Sequence, residues 1–293
     1  MDINNLLTAF CHTRRMFVTF ASPITFTRHK SRGGFTLIEL SIVLVIIGLI
    51  IGGVMVGQDL IEGSRRRQLI AEIEHIQSAI SAFRSKYNCL PGDCDHATDF
   101  FDTDASCPNT PYNTVLKTAT CNGNGNGVID DLQTTNQYEA FRFWQHLSDA
   151  GLFSGVFTGV TGPNDPRDAL IDLNVPRSHA YPNAGFDVSN ISAALVGILS
   201  ANYFPANAGT GIYFGVKWNA FELLGNIFDG QSAYSIDTKI DDGLPGTGRV
   251  ISYPNSSPFD NQCSTTNDPT TAIYNLTDTQ IRCSLIFKVK ELN

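Results

Sequence analysis

The sequence predicts an α+β protein: one very long N-terminal helix, transmembrane and then amphipathic, packed on a C-terminal antiparallel sheet with irregular insertions. Three observations carry this expectation. Residues 35–88 contain no proline and pass from an unbroken apolar run to a one-sided apolar stripe. Residues 89–137 are rich in Cys, Asn, Asp, Gly, Pro and Thr, the composition of a long irregular connection. Segments with strand character and glycine punctuation gather toward the C-terminus. At 293 residues the chain is long enough to bury a sizeable core.

Charge is distributed unevenly. The formal net charge is −8, from 20 Lys+Arg and 28 Asp+Glu. Residues 1–34 carry five basic groups (Arg14, Arg15, Arg28, Lys30, Arg32) against Asp2, so the rest of the chain is strongly acidic. That balance argues against nucleic acid as the main partner, because phosphate binding needs clustered Lys and Arg. Of seven cysteines, Cys11 lies in the basic head and six lie beyond it. An even count there fits an oxidising destination.

Phe35 to Val56 reads FTLIELSIVLVIIGLIIGGVMV, with Glu39 as its single charge. As a helix it spans about 33 Å, enough to cross a bilayer core. It is too long for a cleaved secretory signal, and no A-x-A-like site follows it. A carboxylate inside such a span is costly unless paired, which makes Glu39 a functional candidate. Beyond the span, Arg65, Arg66 and Arg67 read as a solvated helix face. Leu69, Ile73, Ile76, Ile80, Phe83 and Tyr87 then recur at spacings of four and three, one stripe on a helix. Pro91-Gly92 ends it.

Arg32-Gly33-Gly34-Phe35-Thr36-Leu37-Ile38-Glu39-Leu40 resembles the processing site of type IV prepilins and type II secretion pseudopilins. The resemblance implies a pilin-like fold and a leader, residues 1–34, removed by a prepilin peptidase between Gly34 and Phe35. The new terminal Phe35 is then N-methylated, and Glu39 pairs with the terminal amine of a neighbouring subunit. It also implies a single-pass inner-membrane protein with a cytoplasmic N-terminus and a periplasmic head. Its partners would be the lipid bilayer, other pilin or pseudopilin subunits and an inner-membrane assembly platform. Its destination would be a type IV pilus or a periplasmic pseudopilus. In domain terms, 35–57 is the membrane and filament-core half of the helix, 58–88 its amphipathic half, and 89–293 the globular head. Two features depart from the family pattern. The leader is long, with Met16 a second candidate start, and Val56 stands where many members have proline. Gly48, Gly52, Gly53 and Gly57 are the alternative source of local softening.

In the head, Cys89 and Cys94 bracket a Leu-Pro-Gly-Asp turn, Cys107 and Cys121 bracket one loop, and Cys263 and Cys283 lie near the C-terminus. Pairing of neighbours is the expectation among fifteen connectivities. Cys89-x4-Cys94 lacks the tight spacing of a zinc site. Asn122-Gly123-Asn124-Gly125-Asn126-Gly127-Val128-Ile129-Asp130 resembles the start of a calcium loop, with Asn122, Asn124, Asn126 and Asp130 as candidate ligands. Asn replaces the usual first Asp, Gln133 stands where a bidentate Glu is expected, and Glu139 is a candidate substitute. A flexible Asn-Gly turn is the alternative.

Tyr138–Ala150 reads as a short amphipathic helix stopped by Gly151, with Phe141, Trp144 and Leu147 in the core and His146 hydrogen-bonded beside them. Leu-Pro-Gly-Asp after the long helix, together with Trp144-Gln145-His146-Leu147 and Ala150-Gly151-Leu152, is similar to a set of prepilin-type secretion proteins. Residues 211–218 and 285–289 are strand candidates, as are 192–200 and 248–253. Asp237, Asp241 and Asp242 concentrate near a turn, either solvated or offered to a cation. The chain holds no G-x-S-x-G and no H-E-x-x-H, and its six histidines are scattered. The expected function is a non-catalytic filament subunit. The alternatives are a membrane-anchored periplasmic enzyme and a calcium-dependent adhesin carrying the same leader.

Overall fold

The computed structural model describes residues 34–107, 112, 114–116, 118–130, 138–191, 209–218, 223–254, 263–266 and 268–290. The strand expected over 192–200, the leader before Gly34 and Gln133 fall outside them. Internal contacts divide the chain into two units, Met1–Val54 and Met55–Asn293. The described part of the first is helical from Leu37 onward.

Helix α1 (Leu37–Tyr87) is 51 residues without a break. Alanine, leucine, isoleucine and charged residues dominate its second half, and no proline interrupts its hydrogen-bond ladder. Asn88 ends it by turning left-handed at φ 56. The six stripe residues are all buried, with Leu69 and Phe83 at 0% exposure. They share one core with the sheet, formed by residues such as Phe186, Ile212, Phe214, Leu285 and Phe287.

That sheet contains β1 (Gly185–Ile191), β2 (Gly209–Gly215), β3 (Val250–Pro254) and β4 (Cys283–Lys288) in the order β1-β2-β4-β3, every pair antiparallel. Register is set by apolar partners: Val188 faces Ile212, Ile212 faces Phe287, and Phe287 faces Val250. Gln77 ties α1 to the end of β4. Its amide donates to the Lys288 carbonyl at 3.0 Å and accepts from the Lys290 N–H at 3.1 Å. A buried amide with both ends engaged fixes helix against strand without an unsatisfied group.

Helix α2 (Glu139–Asp149) and helix α3 (Gly230–Ile240) complete the fold. The expected amphipathic helix forms at α2, but it is buried on every side from Glu139 to Leu147. The Cys89–Cys94 turn and the 119–130 loop cover part of its polar face, their backbone groups engaging Glu139, Gln145 and His146. The three aspartates expected beside a turn lie at the end of α3, Asp237 within the helix and Asp241 and Asp242 just past Ile240. Asp229 caps α3, accepting from Ser232 N at 2.7 Å.

Truncating the stripe will show how far the head depends on it. Phe83→Ala in the detergent-solubilised chain is expected to lower unfolding free energy by about 3–5 kcal/mol in denaturant titration. Ser78→Ala, on the exposed side of the same helix, is expected to stay within about 0.5 kcal/mol.

Candidate functional site

The chemistry-bearing residues of the N-terminus sit on the first turn of α1. Phe35 is 89% exposed. Thr36 and Glu39 form a reciprocal cap: the Thr36 N–H and hydroxyl both donate to a Glu39 Oε2 at 2.8 Å, and Glu39 N–H donates to the Thr36 hydroxyl at 3.3 Å. The carboxylate is therefore folded back onto its own helix end, four residues from Phe35. From Leu37 to Ile61 the large apolar side chains are 46–86% exposed. Among the described residues this is the one helix long and apolar enough to cross a membrane, with a mean hydropathy of 2.8 over its best window.

Residues 29–55 match the prokaryotic N-terminal methylation motif. The chain carries the prepilin-type cleavage and methylation signature of type IV pilins and pseudopilins. No curated protein and no solved structure matches the chain. The prepilin signature thus reaches into the first part of α1 and ends at residue 55.

In the head, disulfides join Cys89 to Cys94, Cys107 to Cys121 and Cys263 to Cys283. The first closes the turn after α1 on itself, and that turn lies against α2. Gly92 sits there at φ +85, where an added Cβ would lie 2.3 Å from the Glu139 carbonyl. Only glycine fits so close to the helix backbone. Gly92 N–H donates to His146 Nδ1 at 3.0 Å. On the other side of the ring Nε2 lies 3.0 Å from the Thr120 hydroxyl, whose own proton goes to Gln145 Oε1 at 2.7 Å. The ring is therefore the Nε2–H tautomer. Burial first, then the Arg142 charge, pushes its pKa down to about 3. A neutral histidine with both nitrogens committed is a brace rather than a proton shuttle.

The Asn-Gly loop folds around carboxylates from outside it. Asp93 accepts from Asn126 N–H at 3.0 Å and Gly127 N–H at 2.7 Å. Glu139 accepts from Asn124 N–H at 2.9 Å and Asp130 N–H at 3.0 Å. Of the four candidate calcium ligands, Asn124, Asn126 and Asp130 lie together. Asp130 accepts from the side-chain amides of Asn124 (2.9 Å) and Asn126 (3.0 Å). The Asn124 and Asn126 carbonyl oxygens accept from Asn126 N–H and Val128 N–H. Asn122 points elsewhere, accepting from Thr98 N–H at 2.8 Å. Asp93 was invisible in the sequence, its only signal being its place inside the Cys89–Cys94 turn. Burial pushes Glu139 up to about 7, against its two backbone hydrogen bonds and helped by the Asp93 and Asp130 charges.

A second acidic group lies at the end of α3. Carboxylate oxygens of Asp237, Asp241 and Asp242 come within 4.8 Å of one another. Asp237 is fully buried, accepting from Tyr274 Oη at 2.9 Å and Gly243 N–H at 3.2 Å, and burial pushes it up to about 7. Burial does the same to Asp149, aided by Asp102.

These shifts fix the sign of a pH dependence. Glu139, Asp149 and Asp237 hold protons more tightly in the folded state, so their contribution is fully present below the unfolded pKa and is lost as pH rises toward about 7. His146 opposes them, since its depressed pKa favours the folded state above about 6.5 and costs stability on acidification. Three groups outweigh one. Thermal melts of the head are expected to move upward from about pH 8 to about pH 5, with a shallower slope in Glu139→Gln.

Proposed function

We propose that the chain is a structural subunit of a type IV pilus or type II secretion pseudopilus, assembled through its N-terminal helix. The prepilin signature is the observation that carries this reading. The signature supports a type IV pilin- or pseudopilin-like precursor and, with the apolar helix behind it, fits a single-pass inner-membrane protein. On this reading residues 1–34 are the leader, 35–57 lie in the membrane and later in the filament core, 58–88 carry the head, and 89–293 form that head outside the cytoplasm. A prepilin peptidase cuts between Gly34 and Phe35 and methylates the Phe35 amine. Other subunits and an inner-membrane assembly platform then receive it.

Physical chemistry gives Glu39 its part. In the free chain its carboxylate is satisfied by Thr36. In an apolar filament core a neighbour's Phe35 amine offers a full opposite charge, which attracts far more strongly there than in water. Neither charge is tolerated alone, so a subunit out of register is penalised by an unpaired buried ion.

Calcium is a second reading for the head. Asp93, Asp130 and Glu139 converge on the Asn-Gly loop, and a divalent cation would relieve their mutual repulsion. On that reading calcium raises the melting temperature of the head above about pH 7, where Glu139 ionises, and a chelator reverses the gain. An identical melt with calcium and with chelator removes it.

Intact mass and N-terminal sequencing of membrane-extracted protein, with and without the peptidase, test the leading proposal. A terminal N-methylated Phe35 that appears only with the peptidase is the expected result. A retained leader, or a terminus beyond Val56, would sink the proposal and favour an anchored or secreted enzyme. Glu39→Ala is expected to keep the head folded and to lower sedimentable filament by about a hundredfold or more, from an unpaired buried charge costing about 3 kcal/mol.

A further inference from the structure

Asn122-Gly123, Asn124-Gly125 and Asn126-Gly127 carry a chemistry that the subunit reading does not use. In an Asn-Gly pair the glycine backbone nitrogen can attack the side-chain amide carbon of the asparagine. The bond from that carbon to the side-chain nitrogen breaks, and the glycine N–H proton leaves with it as ammonia. Water then opens the resulting succinimide to aspartate or isoaspartate. The sum is amide plus water giving carboxylic acid plus ammonia. Glycine favours the attack because no side chain shields its nitrogen, and asparagine is thermolabile by such chemistry.

Asn124, Gly125, Asn126 and Gly127 are all exposed to water. Yet each attacking nitrogen is committed, and always to the same neighbour. Gly123 N–H donates to the Cys94 carbonyl at 2.8 Å and Gly125 N–H to the Asp93 carbonyl at 3.0 Å. Gly127 N–H donates to Asp93 Oδ2 at 2.7 Å. All three acceptors belong to Asp93 and Cys94, the last two residues of the turn closed by the Cys89–Cys94 disulfide. The asparagine side chains are held too. Asn124 and Asn126 donate their amide N–H groups to Asp130 Oδ2 at 2.9 and 3.0 Å. The Asn122 side-chain oxygen accepts from Thr98 N–H at 2.8 Å. Attack requires the glycine nitrogen to leave its acceptor and the side chain to swing toward it.

We propose that Asn122, Asn124 and Asn126 are deamidation sites guarded by the Cys89–Cys94 turn. While the turn is closed the loop keeps its amides, and when the turn opens the loop converts. The inference needs neither the subunit reading nor a bound cation. Conversion at 124 or 126 puts a carboxylate where an amide now donates to Asp130, close to Asp93 and Glu139. Like charges then oppose the return of the loop. A chain whose first disulfide forms late thereby carries a permanent chemical mark of the delay.

The test incubates the purified full-length chain in detergent at mildly alkaline pH and measures conversion at each position by peptide mapping and mass spectrometry. The oxidised wild type is expected to lag the urea-unfolded chain at all three positions. Asp93→Ala removes the acceptor of Gly127 N–H and leaves the two backbone carbonyls in place. Asn126 is therefore expected to convert about tenfold faster than in the wild type, with Asn122 and Asn124 unchanged. Asp93→Asn, equal in size, is expected to show the same preference for Asn126 and decides the matter should the alanine variant not fold. Cys89→Ser combined with Cys94→Ser is expected to speed all three positions. A wild type that converts as fast as the unfolded chain overturns the inference. So does a double-serine chain no faster than the wild type, or a folded Asp93 variant whose rise is shared equally by the three positions.

Discussion

Burial of the stripe from Leu69 to Tyr87 is the constraint around which the head is arranged. The sheet cannot close its inner face without those side chains, since Ile212, Phe214, Leu285 and Phe287 share one core with them. Each side chain buried there contributes about 1.5–3 kcal/mol. The hydrogen bonds of Gln77, Glu72 and Glu62 add direction to that adhesion, gripping β4, the 178–180 turn and Tyr181 in succession along the helix. Sliding α1 by one turn would break all three sets at once. The helix is thus locked to the head at its C-terminal end, while the large apolar side chains from Leu37 to Ile61 stay exposed.

Helix α2 illustrates how an irregular connection is made solid without a large core of its own. Its polar face would ordinarily seek water. Here Glu139, Gln145 and His146 meet backbone groups of the 119–130 loop and the Cys89–Cys94 turn. The loop in turn has its N–H groups taken by Asp93 and Glu139. Such networks are costly when incomplete and rigid when satisfied. A stretch whose composition reads as flexible is held by carboxylates at both ends.

Much of this was legible in the residues. The four-three spacing of the stripe located six of the eight side chains that α1 buries, missing Gln77 and Ala79, and the aromatic spacing placed α2. Three strands, β2, β3 and β4, announced themselves by β-branched and aromatic runs. Other elements did not. In β1, GFDVSNI, Asp187 and Ser189 are buried beside apolar neighbours, so composition does not mark it as a strand. Helix α3 buries little beyond Gly230, Ala233, Ile236 and Asp237, too few for a visible stripe. The Asn-Gly loop showed its amides and pointed to Glu139, but it hid Asp93, which lies 33 residues before Asn126. Both oxygens of Glu139 face N–H groups, those of Asn124 and Asp130. A carboxylate's hydrogen-bond partners are a tertiary fact that spacing alone does not encode.

The disulfides link residues only 5, 14 and 20 apart in sequence. None ties α1 to the sheet, and none spans the middle of the chain. Closing short loops costs little entropy and needs no prior tertiary order. The Cys89–Cys94 and Cys107–Cys121 bonds can therefore be made before β4, the C-terminal strand that completes the sheet, is in place, whereas Cys263–Cys283 needs β4 itself. Oxidation of those two loops and final packing of the sheet become separable events.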